Sequence, residues 1–518
     1  MRAARAGVAL ALLCIVGLVG MRVLNPLPPL AGRQSSVFYS DTLDTPLGRA
    51  LAPLADSHRE HAGIVPLASG REAFAARVLL ARAAERSIDV QYYIWRGDMT
   101  GTLLFEELRR AADRGVRVRI LLDDNNTAGL LDGVLAALDS HPGIEVRLFN
   151  PFAIRSIRWV NFVTDFRRAN RRMHNKSFTV DNQATIIGGR NVGDEYFDAA
   201  NEGELVFADL DVLAVGSIVP EVSRDFDRYW ASGSAYPVAR LLPPAPAGAL
   251  AELDARAARL EHDPAASAYT AAVRELPFVT DLLAGRLAFE WAPVRMLSDD
   301  PAKGLGLAPP DALLLTKLAE ALGGAKRSID VVSPYFVPTA AGADAFAALV
   351  ADGIRVRILV NALEATDVAA VHAGYIKHRK ALLRAGIELY EMRLVAGEES
   401  GRVGPFGSGA SSLHAKTFAV DGERIFIGSF NFDPRSANLN TELGFLIESP
   451  PLAERLATLF ERTVPEIAYE VRLSPSGRTY WLERRDGETV RHETEPGTTW
   501  LQRLTVRLLS WLPIEPIL

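Results

Sequence analysis

Short runs of β-branched and aliphatic residues alternate in this chain with stretches whose apolar positions recur at helical spacing. Residues 74–84 carry the helical period and feed an extended run over 87–94; residues 103–112 do the same and feed 117–122. Such alternation predicts an α/β fold with helices outside a largely buried mixed sheet. At 518 residues the chain has room for two domains of this kind.

The pattern occurs twice. Arg86-Ser87-Ile88-Asp89-Val90 returns as Arg327-Ser328-Ile329-Asp330-Val331, and Gly115-Val116-Arg117-Val118-Arg119 as Gly353-Ile354-Arg355-Val356-Arg357. Glu204-Leu205-Val206-Phe207 matches Glu442-Leu443-Gly444-Phe445 in the same order. Two homologous lobes follow. The expected organisation is residues 1–35 as signal anchor and linker, 36–240 as lobe one, and 241–290 as connecting helices. Lobe two follows over 291–470, and 471–518 form a hairpin and amphipathic tail.

One period-two segment in each lobe carries the candidate chemistry. His174, Lys176, Phe178 and Val180 share one side of an expected strand, with Asn175, Ser177, Thr179 and Asp181 on the other. His414, Lys416, Phe418 and Val420 repeat the arrangement, and each matched pair lies 240 positions apart, as His174 and His414 do. Asp181-Asn182 and Asp421-Gly422 then read as hairpin turns. The return strands, 184–187 and 424–427, run into Gly188-Gly189 and Asn191, or Gly428-Ser429 and Asn431. His378-Arg379-Lys380 is a chance third copy. It lies in a helical pattern, where positions two apart diverge.

Composition sharpens the choice of lysine. Only seven of the 57 basic residues are Lys, and two of the seven stand at the matched positions. A compact ammonium with rotatable donors differs from a planar guanidinium fork. Imidazole, ammonium and carboxamide together suit attack on a phosphodiester. The chain is acidic overall, with 63 acidic against 57 basic residues, which argues against a nuclease with a broad basic face. The sequence contains no zinc-type Cys/His spacing, calcium loop or Walker-type phosphate loop, and no metal or other cofactor is expected. Asp123-Asp124-Asn125-Asn126 reads as a polar loop leaving a strand.

The paired His-x-Lys-x4-Asp resembles the signature of the phospholipase D superfamily. Arg172-Met173-His174-Asn175-Lys176, Ser333-Pro334-Tyr335-Phe336-Val337-Pro338 and Gly428-Ser429-Phe430-Asn431-Phe432-Asp433-Pro434-Arg435-Ser436 are similar to the C-type bacterial cardiolipin synthases. The likeness runs over residues 60 to 518. It implies two phospholipase D-like lobes related by a pseudo-twofold, one shared active site, and cardiolipin synthesis. The alternative is a phospholipase D-type phosphodiesterase, either lipid hydrolase or nuclease. Implied substrates are phosphatidylglycerol with a second phosphatidylglycerol or phosphatidylethanolamine, in some relatives with a helper protein; no nucleic acid is expected.

In the implied mechanism one neutral imidazole attacks phosphorus and forms a phosphohistidine, while the other donates a proton to the departing alcohol. The family order makes His174 the nucleophile and His414 the acid/base. Lys176, Lys416, Asn191 and Asn431, with Gly189 and Ser429, form the expected phosphate cradle. Glu204 and Glu442 are expected to hold the far nitrogen of each histidine, unless they are strand-end surface carboxylates. Asp181 and Asp421 complete the catalytic signature, but their place at turns favours a structural role.

An apolar run over residues 6–21 follows Arg2 and Arg5 and reads as an uncleaved signal anchor, or else a secretory signal peptide. The anchor reading puts the catalytic body outside the bacterial cytoplasmic membrane. Cys14 is the only cysteine, so no intrachain disulfide forms. Six arginines lie between Arg155 and Arg172, interleaved with Ile157, Trp159, Phe162 and Phe166. That segment suits either a lipid surface or a packed amphipathic helix. Residues 395–412 form either a lid or an idle loop, and the tail from Trp500 either docks on a membrane or covers lobe two.

Overall fold

The computed structural model describes residues 17–18, 20–126, 131–197, 209–263, 266–322, 324–394, 413–485 and 487–518. Most of the expected anchor run over 6–21 (residues 6–16 and 19), the 395–412 segment and Glu204 lie outside the described residues.

Two mixed sheets form the molecule. Lobe one contains β1 (Ala62–Leu67), β2 (Ser87–Ile94), β3 (Arg117–Asn126), β4 (Ile144–Phe149), β5 (Ser177–Val180), β6 (Ala184–Gly188), β7 (Asp211–Gly216), β8 (Ala235–Pro237) and β9 (Glu290–Ala292). Lobe two contains β10 (Val294–Ser298), β11 (Ser328–Val332), β12 (Arg355–Asn361), β13 (Glu388–Met392), β14 (Thr417–Val420), β15 (Arg424–Gly428), β16 (Leu443–Ile447), β17 (Ala468–Leu473), β18 (Thr479–Arg485) and β19 (Glu488–His492). The order β4-β3-β2-β5-β6-β7-β1 in the nine-stranded sheet is repeated as β13-β12-β11-β14-β15-β16-β10 in the ten-stranded one. Ile88 faces Val180 across β2 and β5, and Ile329 faces Val420 across β11 and β14, so register is repeated too. The chain crosses between sheets at Pro293, with β9 paired to β1 and β10 to β16.

The duplicated sequence blocks account for the likeness. Asp89 takes Arg119 in a two-pronged buried pair at 2.7 and 2.8 Å, and Asp330 takes Arg357 at 2.6 and 2.8 Å. Matching charge and hydrogen bonds make such buried ions tolerable, and losing one partner is far costlier than losing both. Between the lobes lies a shared apolar layer. Ile64, Ile187, Leu210 and Val212 of lobe one meet Ala415, Ala419, Ile425 and Phe445 of lobe two. Each fully buried Ile or Leu contributes roughly 1.5–3 kcal/mol, enough in sum to fix one lobe on the other.

Three expectations need correction. The motif strands start at Ser177 and Thr417, later than the alternation implies; in lobe one residues 173–174 pair with the other lobe instead of their own sheet. Met173 bridges Thr441, and the His174 N–H donates to the Thr441 carbonyl at 2.9 Å. The run Asp123–Asn126 is no loop, since β3 continues through it. The Asp123 carboxylate accepts the Met173 N–H at 2.8 Å, and Asp124 accepts the Phe152 N–H at 2.7 Å. Finally, Arg158, Arg167 and Arg168 sit on short helical turns, and most of the arginines from 155 to 172 are used inside the protein. Arg155 and Arg158 pair with Asp132, Arg168 with Asp165, and Arg172 with Asp123. His378 lies in helix Ala369–Arg384 against Glu515, far from either motif in role.

Candidate active site

Both motif histidines reach the seam between the lobes. His174 Nδ1 lies 2.8 Å from Glu442 Oε2, a carboxylate of lobe two. His414 Nδ1 lies 2.5 Å from Asp209 Oδ2, a carboxylate of lobe one. Each imidazole is therefore oriented by the opposite half of the molecule. A carboxylate on Nδ1 fixes the tautomer and leaves Nε2 as the reactive nitrogen. Lys176 and Lys416 donate to the carbonyls of His174 and His414, and Lys416 Nζ lies 3.1 Å from His414 Nδ1. Both ammonium groups are buried. Asn191 takes the Ile94 N–H on its Oδ1 and has an amide nitrogen buried without a partner; Asn431 has an unpartnered buried Oδ1. Unpaired polar atoms in such a place are costly unless a ligand satisfies them.

Electrostatics couple the two motifs. Burial first, then the charges of Lys176, Lys416 and His414, hold the His174 imidazole well below its usual range. Burial lowers His414 too, with Lys416, but Asp209 opposes that shift by charge and hydrogen bond. Burial lowers both lysines, strongly so for Lys176. Burial pushes the Glu442 carboxyl up to about 7, against the pull of Lys176 and hydrogen bonds from Ser429 and Ser436. Burial would also raise Asp209, but His414 and Lys416 override it and hold this carboxylate well below its ordinary range.

The two motif aspartates take no part at the seam. The Asp181 carboxylate accepts the N–H groups of Glu85, Arg86 and Ser87 at 2.8–3.0 Å, and Asp421 accepts those of Lys326, Arg327 and Ser328. They stand at the hairpin turns, with φ of 50° and 59°, a left-handed conformation in which Asp and Asn are the tolerated side chains. This corrects their inclusion among catalytic candidates: they tie each motif strand to the start of its neighbour.

Asp209 is the residue that letter matching missed. Matching letters align Glu442 with Glu204, but the sheets align it otherwise. Gly428 faces Gly444 and Gly188 faces Asp211, so the residue two before each partner is Glu442 in lobe two and Asp209 in lobe one. An acidic residue followed by Leu just before the last apolar run was the available signal. A Cβ on Gly189 would meet Asp209 Oδ1 at 2.1 Å, so the Gly at this position makes room for that carboxylate. Ser429, its counterpart, instead donates its hydroxyl to Glu442 at 2.5 Å. Aromatic rings close the site. Tyr93 meets His174 edge-on at 4.9 Å and Tyr196 meets His414 at 5.2 Å. The Tyr335 hydroxyl donates to Asp367 at 2.6 Å. Among the described residues no cluster of three His, Cys, Asp or Glu side chains is arranged to hold a metal.

The chain is similar to several known proteins. A family model described as "Cardiolipin synthase, PLD-like domain" matches residues 79–230 and 318–464, one match per lobe. Cardiolipin synthase C of Escherichia coli K12 is 48% identical over 91% of this chain and 99% of its own length. A cardiolipin synthase of Staphylococcus aureus Mu50 is 25% identical over 81% of this chain and 70% of its own. Phosphatidylserine synthase from Haemophilus influenzae Rd KW20 superposes with a TM-score of 0.56 at 15% identity, covering 91% of this chain and all of that one, a likeness of fold. With the family model over both lobes and a relative matched nearly end to end, this chain belongs to the cardiolipin synthase family of phospholipase D-like phospholipid transferases.

Proposed function

We propose that the chain makes cardiolipin from phosphatidylglycerol and a second phospholipid through a phosphohistidine intermediate. The observation that carries this reading is the crossed pairing of His174 with Glu442 and His414 with Asp209 around two buried lysines. His174, low in proton affinity, attacks the diester phosphorus through Nε2, forming a P–N bond as the P–O bond to the leaving alcohol breaks. His414, with ionised Asp209 behind it, gives that alcohol its proton. The same imidazole then takes a proton from the acceptor hydroxyl, which displaces His174. Lys176, Lys416, Asn191 and Asn431 surround the nonbridging oxygens, where negative charge grows. The exchange of one diester for another is nearly energy-neutral and calls for no nucleotide.

Expression in cells lacking cardiolipin synthases, with isotope-labelled phosphatidylglycerol and phosphatidylethanolamine, tests the reading and identifies the donor. New cardiolipin carrying label supports it. Phosphatidic acid without cardiolipin makes the chain a hydrolase instead. Product in membranes but none from the purified chain assigns a role to a helper protein. We further take residues 6–21 as an anchor that leaves the catalytic body on the outer side of the cytoplasmic membrane. Proteolysis of intact spheroplasts should degrade the body, and its survival would place it inside. Among the described residues no helix is long and apolar enough to cross a membrane.

A further inference from the structure

The C-terminal helix Trp500–Ser510 wears its apolar side outward. Val506 is buried and, with Leu509, packs toward Leu363, Ala373 and Ile376 of lobe two. At about 100° per residue, Trp500, Leu501, Leu504, Leu508, Trp511 and Leu512 fall within a stripe about 120° wide, centred opposite Val506. All six are exposed, Trp511 at 75%. Helices on globular proteins put such a stripe inward, so this one is left for something outside the fold.

The stripe is not isolated. The chain end just beyond it is held by Arg435, whose N–H donates to the Leu518 carbonyl at 2.7 Å and whose guanidinium reaches both the Ile517 carbonyl and Asn170 Oδ1. Asn170 ends the turns that expose Trp159, at 66%, and Phe166. Arg171 then reaches Lys303 and Asn438 next to exposed Leu307. On the same turns Asp165 pairs with Arg22 at 3.4 Å, directly after the apolar run 6–21. Four separated stretches thus bring exposed apolar side chains around the residues that precede His174.

We infer that this face, centred on the C-terminal stripe, lies in the interfacial layer of a phospholipid bilayer; the inference rests on the phospholipid-transfer reading. Three features select a bilayer over a protein partner. Exposed tryptophans at 159, 500 and 511 suit the headgroup boundary, where an amphipathic ring has both phases within reach. Exposed Arg167 and Arg507 flank the apolar positions and match anionic headgroups. The apolar run 6–21 ends on this face, so any anchoring by it brings the face to the membrane. Arg155, Arg158 and Arg172, tied to Asp124, Asp132 and Asp123, contribute little; apolar contact provides most of the binding.

The test uses the full chain with Cys14→Ser and one new cysteine, at Leu508, Trp159 or Glu423, carrying a nitroxide label. Glu423 stands at the turn on the far end of β14 from His414. In vesicles of phosphatidylcholine with phosphatidylglycerol, labels at 508 and 159 should relax with membrane-dissolved oxygen and resist a water-soluble nickel chelate. The label at 423 should do the reverse. A label at 508 that behaves like the one at 423 overturns the inference. So does one shielded from both reagents, which would mean a protein or a second copy covers the stripe. A second measurement uses Leu504→Glu, Leu508→Glu and Trp511→Glu together. Cardiolipin formation from vesicles should fall roughly tenfold or more, with cleavage of a soluble short-chain phosphodiester unchanged. An equal fall in both would make the helix a structural cover. If the wild-type chain cleaves the soluble diester and makes no cardiolipin, the transfer reading fails while the label pattern still decides the docking.

Discussion

The two histidine–carboxylate pairs occupy equivalent places in duplicated lobes, yet they are built differently. Glu442 is shared between His174, Ser429 and Ser436, and burial brings its carboxyl up to about 7. Asp209 receives His414 and the field of Lys416, and stays ionised. The His174 side chain is 8% exposed and that of His414 19%. A histidine beside a carboxyl of weakened charge, in a drier place, is biased to the neutral nucleophile. One beside a full negative charge, nearer water, is biased to the proton carrier. Duplication supplied two copies of one site, and the carboxylates behind the two imidazoles make them different.

The sharpest way to break this comparison is to exchange the histidines' fates. His174→Ala should remove turnover and covalent phosphoenzyme together, a loss of about 10⁴-fold or more. A phosphoenzyme that survives His174→Ala and vanishes with His414→Ala would reverse the roles. Next comes the charged pair: Asp209→Asn should lower kcat about a hundredfold by loosening the tautomer and charge on His414. Gly189→Ala should do similar damage, because its new Cβ displaces the same carboxylate.

Glu442→Gln should cost less, about tenfold in kcat, because the native carboxyl already carries a weakened charge at neutral pH. It also yields a stability signature. A carboxyl with a folded pKa near 7 and an unfolded value near 4.3 binds more protons when folded between those values, so it lowers stability as pH rises through that window. The variant removes this term. Its melting temperature relative to wild type should therefore be higher at pH 8 than at pH 5, by the equivalent of up to about 3 kcal/mol. No pH dependence in that difference would place the Glu442 proton elsewhere. Smallest is Ser429→Ala, which withdraws one donor from Glu442 and should reduce kcat only about two- to fivefold. Outside the comparison, Asp181→Ala should destabilise lobe one by about 2–4 kcal/mol, while the folded fraction keeps its kcat.

Much of this is legible in the sequence. The α/β alternation, the lobe repeat and the four motif histidines and lysines follow from local periodicity and spacing, which the sheets preserve with one register. What escaped is non-local. Which carboxylate faces which imidazole depends on strands joined across 205 and 268 positions, and identical letters at Glu204 and Glu442 pointed to a match that the sheet register assigns to Asp209. The motif aspartates show the converse. Their turn position, legible in Asp181-Asn182 and Asp421-Gly422, already implied a backbone-binding role. The arginines of 155–172 leave two readings open because sequence reveals charge but not the aspartates of β3 that pair with Arg155 and Arg172.

The crossed pairing also bears on how this enzyme comes into being. Neither half holds a finished histidine–carboxylate pair, since the group that aims each imidazole belongs to the opposite half. A chain interrupted at Pro293 would yield two inert fragments whose chemistry returns only on mixing. During synthesis, then, neither pair can exist until the second lobe docks on the first.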